Sequence, residues 1–128
     1  MKRIKQVYKI NAPIEKVWNA LVNPKSIEKW GAGPAKMRAE EGFEFKLWGG
    51  EIFGKNLSVV PNEKLVQEWF SEDWKKPSLV TFTLREADGE TIVELTHKDI
   101  PDEEFKDIEQ GWKDYYMLPL KELVEKES

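Results

Sequence analysis

The sequence predicts an α+β fold. A curved antiparallel sheet of about six or seven strands should wrap a long C-terminal helix, in the order β-α-α-β-β-β-β-β-β-α. Three observations carry this. Between residues 36 and 98 the chain alternates apolar and polar residues in short runs separated by turn residues, the mark of antiparallel strands. Two short amphipathic helices interrupt the first strand and the rest. Near the C-terminus Phe105, Ile108, Trp112, Tyr115, Tyr116, Pro119 and Leu123 fall on one stripe at helical spacing, with Lys106, Lys113, Asp114 and Lys121 elsewhere. A stripe that bulky either packs a core or roofs a cavity without filling it.

Lys2 to Ile10 alternates imperfectly and reads as the first strand. Asn11-Ala12-Pro13-Ile14-Glu15 is a helix start, with Pro in the first turn and an acid at the positive end of the dipole. Ile14, Val17, Trp18, Leu21 and Val22 give this helix one apolar face. Asn23-Pro24 opens a second, ending near Trp30-Gly31, and Gly31 to Pro34 is a loop. Strands follow at Lys36–Glu40 and Phe43–Trp48, with Gly49-Gly50 as a two-residue hairpin turn, and then from Glu51 to Val60. Pro61 to Lys64 breaks the chain before a strand from Leu65 to Phe70. Ser71 to Pro77 is a loop carrying Trp74, and Leu79–Arg85 and Thr91–Lys98 form a hairpin around Asp88-Gly89. Pro101 to Glu104 opens the last helix, where Pro119 removes a backbone donor and predicts a kink.

Strand periodicity selects the inner face. Phe43, Phe45 and Leu47 share one side of their strand, as do Leu65, Gln67 and Trp69, Val80, Phe82 and Leu84, and Val93, Leu95 and His97. The strand from Glu51 to Val60 leaves two phases open, Ile52/Gly54 or Phe53/Leu57/Val59.

At 128 residues, with no repeat, linker or low-complexity stretch, the chain is expected to form one domain over residues 1–128. The absence of cysteine excludes disulfides, zinc-thiolate sites and a thiol nucleophile, and fits a reducing, cytoplasmic location. The basic start, Met1 to Lys5, leads into alternation and not an apolar run, so no signal peptide is expected, and no stretch is long enough for a membrane span. A net charge of −4 argues against nucleic acid as a partner.

Gly49 to Asn56 imitates a phosphate-binding loop, with Asn56 in place of the magnesium-binding hydroxyl. Such a loop must lead into a helix, and here a strand follows, so nucleotide binding is excluded. The sequon Asn56-Leu57-Ser58 carries no weight without a secretory route. His97 is the only histidine, so no metal site and no cofactor is expected. Ser58, Ser71 and Ser78 lack any nucleophile-elbow context, and no catalytic residues are assigned. In phase with Val93 and Leu95, His97 either offers a pocket its titratable tip or is a core histidine bonded to backbone. Trp18 reads as core, and Trp69 and Trp112 read as pocket walls. Trp74 marks either a contact surface or ordinary loop packing.

The order and punctuation resemble the helix-grip fold of birch-pollen-allergen-like and START-like proteins (the SRPBCC superfamily). Within it the chain is similar to the C-terminal-type domain of the activator of heat shock protein 90 ATPase. The matching residues are Ala12-Pro13-x-x-x-Val17-Trp18, Trp30, Glu41-Gly42, Leu47-Trp48-Gly49-Gly50, Gly54, Val60-Pro61 with Trp69, Thr91-x-x-Glu94-Leu95 and Gly111-Trp112-x-x-Tyr115-Tyr116. They run over nearly the whole chain. The resemblance implies a curved sheet gripping the C-terminal helix, with a pocket between them in many relatives. The activator's N-terminal chaperone-binding domain and its Asn- and Trp-rich opening motif have no counterpart here, so little ATPase stimulation is expected from this domain by itself. The sequence thus predicts non-catalytic binding of a small apolar or amphipathic ligand. Phe45, Trp69, Phe82, Leu95, Trp112 and Tyr116 would form the walls, with His97 as polar group. A chaperone-associated or stress-response regulator is the alternative, and a cyclase- or hydrolase-type enzyme the third reading.

Overall fold

The structure is a computed structural model that describes residues 2–127. Its sheet has six antiparallel strands, β1 (Lys2–Ile10), β2 (Glu44–Leu47), β3 (Ile52–Val60), β4 (Lys64–Phe70), β5 (Ser78–Ala87) and β6 (Glu90–Ile100), in the order β1-β6-β5-β4-β3-β2. Helices α1 (Ile14–Val22) and α2 (Pro24–Trp30) carry the chain from one edge of the sheet to the other. The last helix runs continuously through α3 (Phe105–Gly111), a π-helical stretch (Trp112–Met117) and α4 (Leu118–Glu127). This is the predicted helix-grip architecture.

Local chemistry sets most boundaries. The Asn23 side chain accepts from the Lys25 N–H at 2.9 Å and caps α2, while Gly31, at φ 117°, ends it in the left-handed region. Trp30 Nε1–H donates to the Ala20 carbonyl at 2.9 Å and clamps α2 onto α1. Asp88 and Gly89, at φ 52° and 80°, make the tight hairpin turn between Ala87 and Glu90, as their sequence predicts. The predicted strand at Lys36–Glu40 contracts to a single bridge, Lys36 to Lys46. The Gly49-Gly50 hairpin is a wider turn than expected: Leu47 pairs with Ile52, and Trp48–Gly50 forms a short helical turn with Trp48 itself at φ 50°.

The inner face carries Phe45 and Leu47, Leu65 and Trp69, Val80, Phe82 and Leu84, and Val93, Leu95 and His97, all buried. In β3 the Ile52/Gly54 phase is the inner one, continued by Asn56, whereas Phe53 and Leu57 are exposed. Gly54 is required there, since a Cβ would sit 1.8 Å from the Glu68 carbonyl oxygen of β4. Asn56 is buried because its amide donates to the Arg38 and Glu40 carbonyls at 2.8 and 3.2 Å, and its oxygen accepts from Gln67 at 3.0 Å.

Pro119 produces a π turn instead of a break. The Leu118 N–H bonds to the Lys113 carbonyl, five residues back, which widens the helix just ahead of the proline ring. One extra residue is thereby absorbed, and the buried stripe advances by one. Tyr116, Met117, Leu120 and Val124 are buried where Tyr115, Tyr116, Pro119 and Leu123 were expected, and Tyr115 is 69% exposed.

Candidate functional site

The curvature of the sheet and the position of the long helix bring the inner-face aromatics together. Trp69 of β4 lies against Trp112, with ring centroids 4.8 Å apart, and Phe82 of β5 packs on both Trp112 and Tyr116, at 5.7 and 5.6 Å. Tyr116 also meets Trp30 at 4.5 Å. Phe45, Phe82 and Leu95 are buried in the core, Phe45 with its ring 6.4 Å from that of Trp69, and none of the three lines the cavity described next.

The plug does not fill the whole junction of sheet and helix. A pocket of about 420 Å³ opens there, and Trp69, His97, Trp112 and Tyr116 form its inner wall. Four of the seven residues selected from sequence therefore share one cavity, and three lie behind it. Its mouth is made by residues the sequence reading did not select: Trp48, Glu51, Ile52, Trp74, Ile108 and Tyr115. The β4–β5 loop supplies Trp74, half-buried, with its ring 6.3 Å from that of His97. Trp48 is fixed by its N–H to the Ala32 carbonyl at 2.8 Å, and the Gly49 N–H to the Pro34 carbonyl at 2.9 Å holds the same turn. Only the leucine-tryptophan-diglycine spelling at residues 47–50 hinted at this. Which side of the cavity these residues occupy is decided by the turn.

His97 is fully buried, with every polar atom of its ring engaged. Trp112 Nε1–H donates to Nδ1 at 2.9 Å, so Nδ1 carries no proton; Nε2–H therefore donates to Ser78 Oγ at 2.7 Å. The Ser78 hydroxyl in turn reaches the Trp69 carbonyl at 3.5 Å. Burial among aromatic rings lowers the His97 pKa from its ordinary 6.5 to about 3, and the ring is neutral at pH 7. The Ser78–His97 pair has the spacing of a nucleophile and its base, but the opposite polarity. A base needs a bare Nε2 and an acceptor on Nδ1, and here an indole donor on Nδ1 forces the proton onto Nε2. The pair is a structural clasp joining β5, β6 and the helix.

A second polar chain runs from Trp69 Nε1–H to Gln67 at 2.8 Å, then from Gln67 to Asn56. It pins the Trp69 ring in the wall. The Tyr116 hydroxyl is different: among the described residues it is the one buried side-chain oxygen or nitrogen without a hydrogen-bond partner. Burial raises the Tyr116 pKa far above the ordinary phenol value, so the hydroxyl keeps its proton. No group of three or more His, Asp or Glu that could hold a metal occurs among the described residues. No helix among them is long and apolar enough to cross a membrane.

Fold and site together define a helix-grip protein whose sheet–helix junction is closed at one end by an aromatic plug and open at the other. The family model described as "Activator of Hsp90 ATPase homolog 1-like protein" matches residues 11–125, and the chain belongs to that family. It is 36% identical over 100 residues to the activator of 90 kDa heat shock protein ATPase homolog of Dictyostelium discoideum, covering 75% of this chain and 26% of that protein. To the human activator of 90 kDa heat shock protein ATPase homolog 1 it is 26% identical, over 84% of this chain and 32% of the other. The chain thus spans about a third or less of the length of these two curated relatives. In three dimensions it is similar to a crystal structure of an HSP90 activator from Plasmodium falciparum. The TM-score is 0.89 at 21% identity, with 97% of this chain and 96% of that one aligned, a likeness of fold.

Proposed function

We propose that this chain is a chaperone-associated domain that docks on a chaperone of the 90 kDa heat-shock class. The observation that carries the reading is the family match over residues 11–125, together with relatives named as activators of that chaperone's ATPase. The geometry supports an interaction role over a catalytic one. The Ser78–His97 pair behind the cavity wall has the wrong proton arrangement for a base, and the rim presents Trp74, Ile108 and the exposed Tyr115. Those relatives are about three times longer, so the domain supplies one of several linked contacts and by itself stimulates turnover little. Isothermal titration against the chaperone from the same cells, paired with a steady-state ATPase assay, tests this. Saturable binding with a small change in turnover is expected. No binding at tens of micromolar chaperone overturns it.

A second reading is favoured by one specific observation, the open cavity of about 420 Å³ lined by Trp48, Trp69, Trp74 and Trp112. Its volume falls within the roughly 300–1,000 Å³ of small-molecule sites, and its walls are mostly apolar. In this reading the domain holds a small organic ligand against Trp69 and Trp112. Ligand-observed NMR with a library of neutral aromatics tests it, and absence of any binder removes it.

A further inference from the structure

We propose that the outer face of the sheet, at the row Lys36, Lys46, Phe53 and Phe70, docks an extended acidic segment of a protein partner. That segment carries an aromatic side chain two or three residues from its carboxylates. The inference rests on the docking reading above and adds where the partner sits and what recognises it.

The strand register builds the row. Lys36 and Lys46 exchange both backbone hydrogen bonds, at 2.9 and 3.0 Å. Lys46 stands opposite Phe53 of β3, and Phe53 stands opposite Phe70 of β4. Residues directly opposite in antiparallel pairs point to the same side, so two lysines and then two phenylalanines follow one another across the sheet. It is the side away from the helix, since Phe45 and Gly54, their neighbours along the strands, belong to the inner face. The two phenylalanine rings stack with centroids 5.6 Å apart and planes 9° from parallel, yet Phe53 stays 36% exposed and Phe70 half-buried. A groove of about 490 Å³ has all four residues in its lining.

Sheet stability accounts for the aromatic pair but not for the lysines. Stacked cross-strand rings hold β3 to β4, whereas like charges placed directly opposite are destabilising. The ion pairs among the described residues use Lys5, Lys9, Lys29, Arg38 and Lys121, and neither Lys36 nor Lys46. Both lysines are exposed, and the Lys36 ammonium sits 5.8 Å from the centre of the Phe43 ring. An anion brought by a partner relieves their repulsion and makes charge-assisted contacts. In the next row Lys55 stands between Glu44 and Glu68, so the surplus positive charge is confined to the Lys36–Lys46 end. Such a patch takes one or two carboxylates beside an aromatic anchor, not the continuous phosphate track of a nucleic acid. Strands lie about 4.8 Å apart, which puts the lysine and phenylalanine pairs roughly 10 Å from each other, and an extended chain covers that in about three residues.

Amide-resolved NMR titration with the peptide acetyl-Glu-Asp-Ser-Phe-Ser-Asp-Glu-amide tests the surface. A version with Ser for Phe and one with Lys for every acid are the controls, and octathymidylate tests a nucleic acid. Shifts are expected at Lys36, Lys46, Phe53 and Phe70, with the serine version about fivefold weaker and the lysine version without effect. Lys46→Glu puts opposite charges across the bridge, so its Tm should equal or exceed that of wild type while its affinity for the acidic peptide falls about tenfold. Lysines that only guard the sheet edge would leave that affinity unchanged and make the sign of the peptide immaterial, and either result overturns the proposal. So do shifts confined to Trp74, Ile108 and Tyr115 at the cavity mouth, an absence of shifts at about 5 mM peptide, or tighter binding of octathymidylate. Calorimetry against the chaperone separates the proposal from the reading it rests on. Wild type that binds, with Lys46→Glu about tenfold weaker, supports both. Equal affinities overturn this surface and leave the docking reading standing. No binding by wild type defeats the docking reading, and the peptide shifts still decide the surface.

Discussion

At its C-terminal end the long helix is seated on α1 and α2 through Leu120 and Val124, both buried. Its N-terminal segment, Phe105–Gly111, buries no side chain fully and stands over the cavity mouth, held to β1 by the Gln6 amide on the Glu109 carbonyl at 3.0 Å. The π turn lies between the two, with Trp112 and Tyr116 plugging the junction. One continuous helix therefore does two jobs. Where helices lie beneath it, apolar contact continues to the core. Over the inner face of the sheet at Trp69 and His97, a gap opens that Trp48, Trp74 and Ile108 line without closing.

The plug should be the most sensitive point. Trp112→Ala removes a large buried ring and also strands Nδ1 of His97, so a loss of about 3–5 kcal/mol in urea unfolding is expected. A loss under about 1 kcal/mol would mean that the helix does not depend on this contact.

Acid should act on the same place through His97. Its folded pKa, about 3, lies below the unfolded value near 6.5, so both states are neutral at pH 7 and the stabilisation is complete there. As pH falls from about 6.5 towards 3, the unfolded chain binds a proton that the folded chain refuses. Stability is lost at about 1.4 kcal/mol per pH unit, on the order of 3 kcal/mol by pH 4. The groups facing the ring are Trp69, Trp74, Trp112 and Ser78, and none of them titrates in this range. Denaturation curves from pH 7 to 4 on wild type and His97→Gln isolate this contribution. Parallel pH profiles for the two would refute it.

The two helix ends can then be set against each other. Leu120→Ala at the seated end should cost about 2–4 kcal/mol, whereas Ile108→Ala at the open end should cost under about 1 kcal/mol. Equal costs would erase the contrast. The smallest effect is expected at the exposed rim, where Tyr115→Ser should leave stability within about 0.5 kcal/mol while weakening whatever partner or ligand uses the mouth.

Much of this was legible before any coordinates. Strand phase follows from a strict period of two. Phe45, Trp69, Phe82, Leu95 and His97 all face inward as their alternation requires, and Asn23-Pro24, Gly31 and Asp88-Gly89 act where local backbone chemistry puts them. The resemblance to the activator family also survived, because its residues are spread over the whole chain.

The failures have a common cause in longer-range geometry. The helix stripe slipped by one residue because a fixed 100° rotation cannot anticipate the π turn ahead of Pro119. The phase of β3 stayed open because Asn56 looks like an outward residue until the carbonyls of Arg38 and Glu40 are brought to it. For His97 the sequence left two readings, a polar tip for a pocket or a core histidine bonded to backbone, because it could not show that Ser78 and Trp112, from a different strand and from the helix, occupy both nitrogens. By itself the sequence determined which side chains face inward, since that depends only on neighbours along the chain. Which of them touch each other, which border a void and which polar atom is left unpaired depended on the separation of helix and sheet, and that distance is set only when the whole chain has folded.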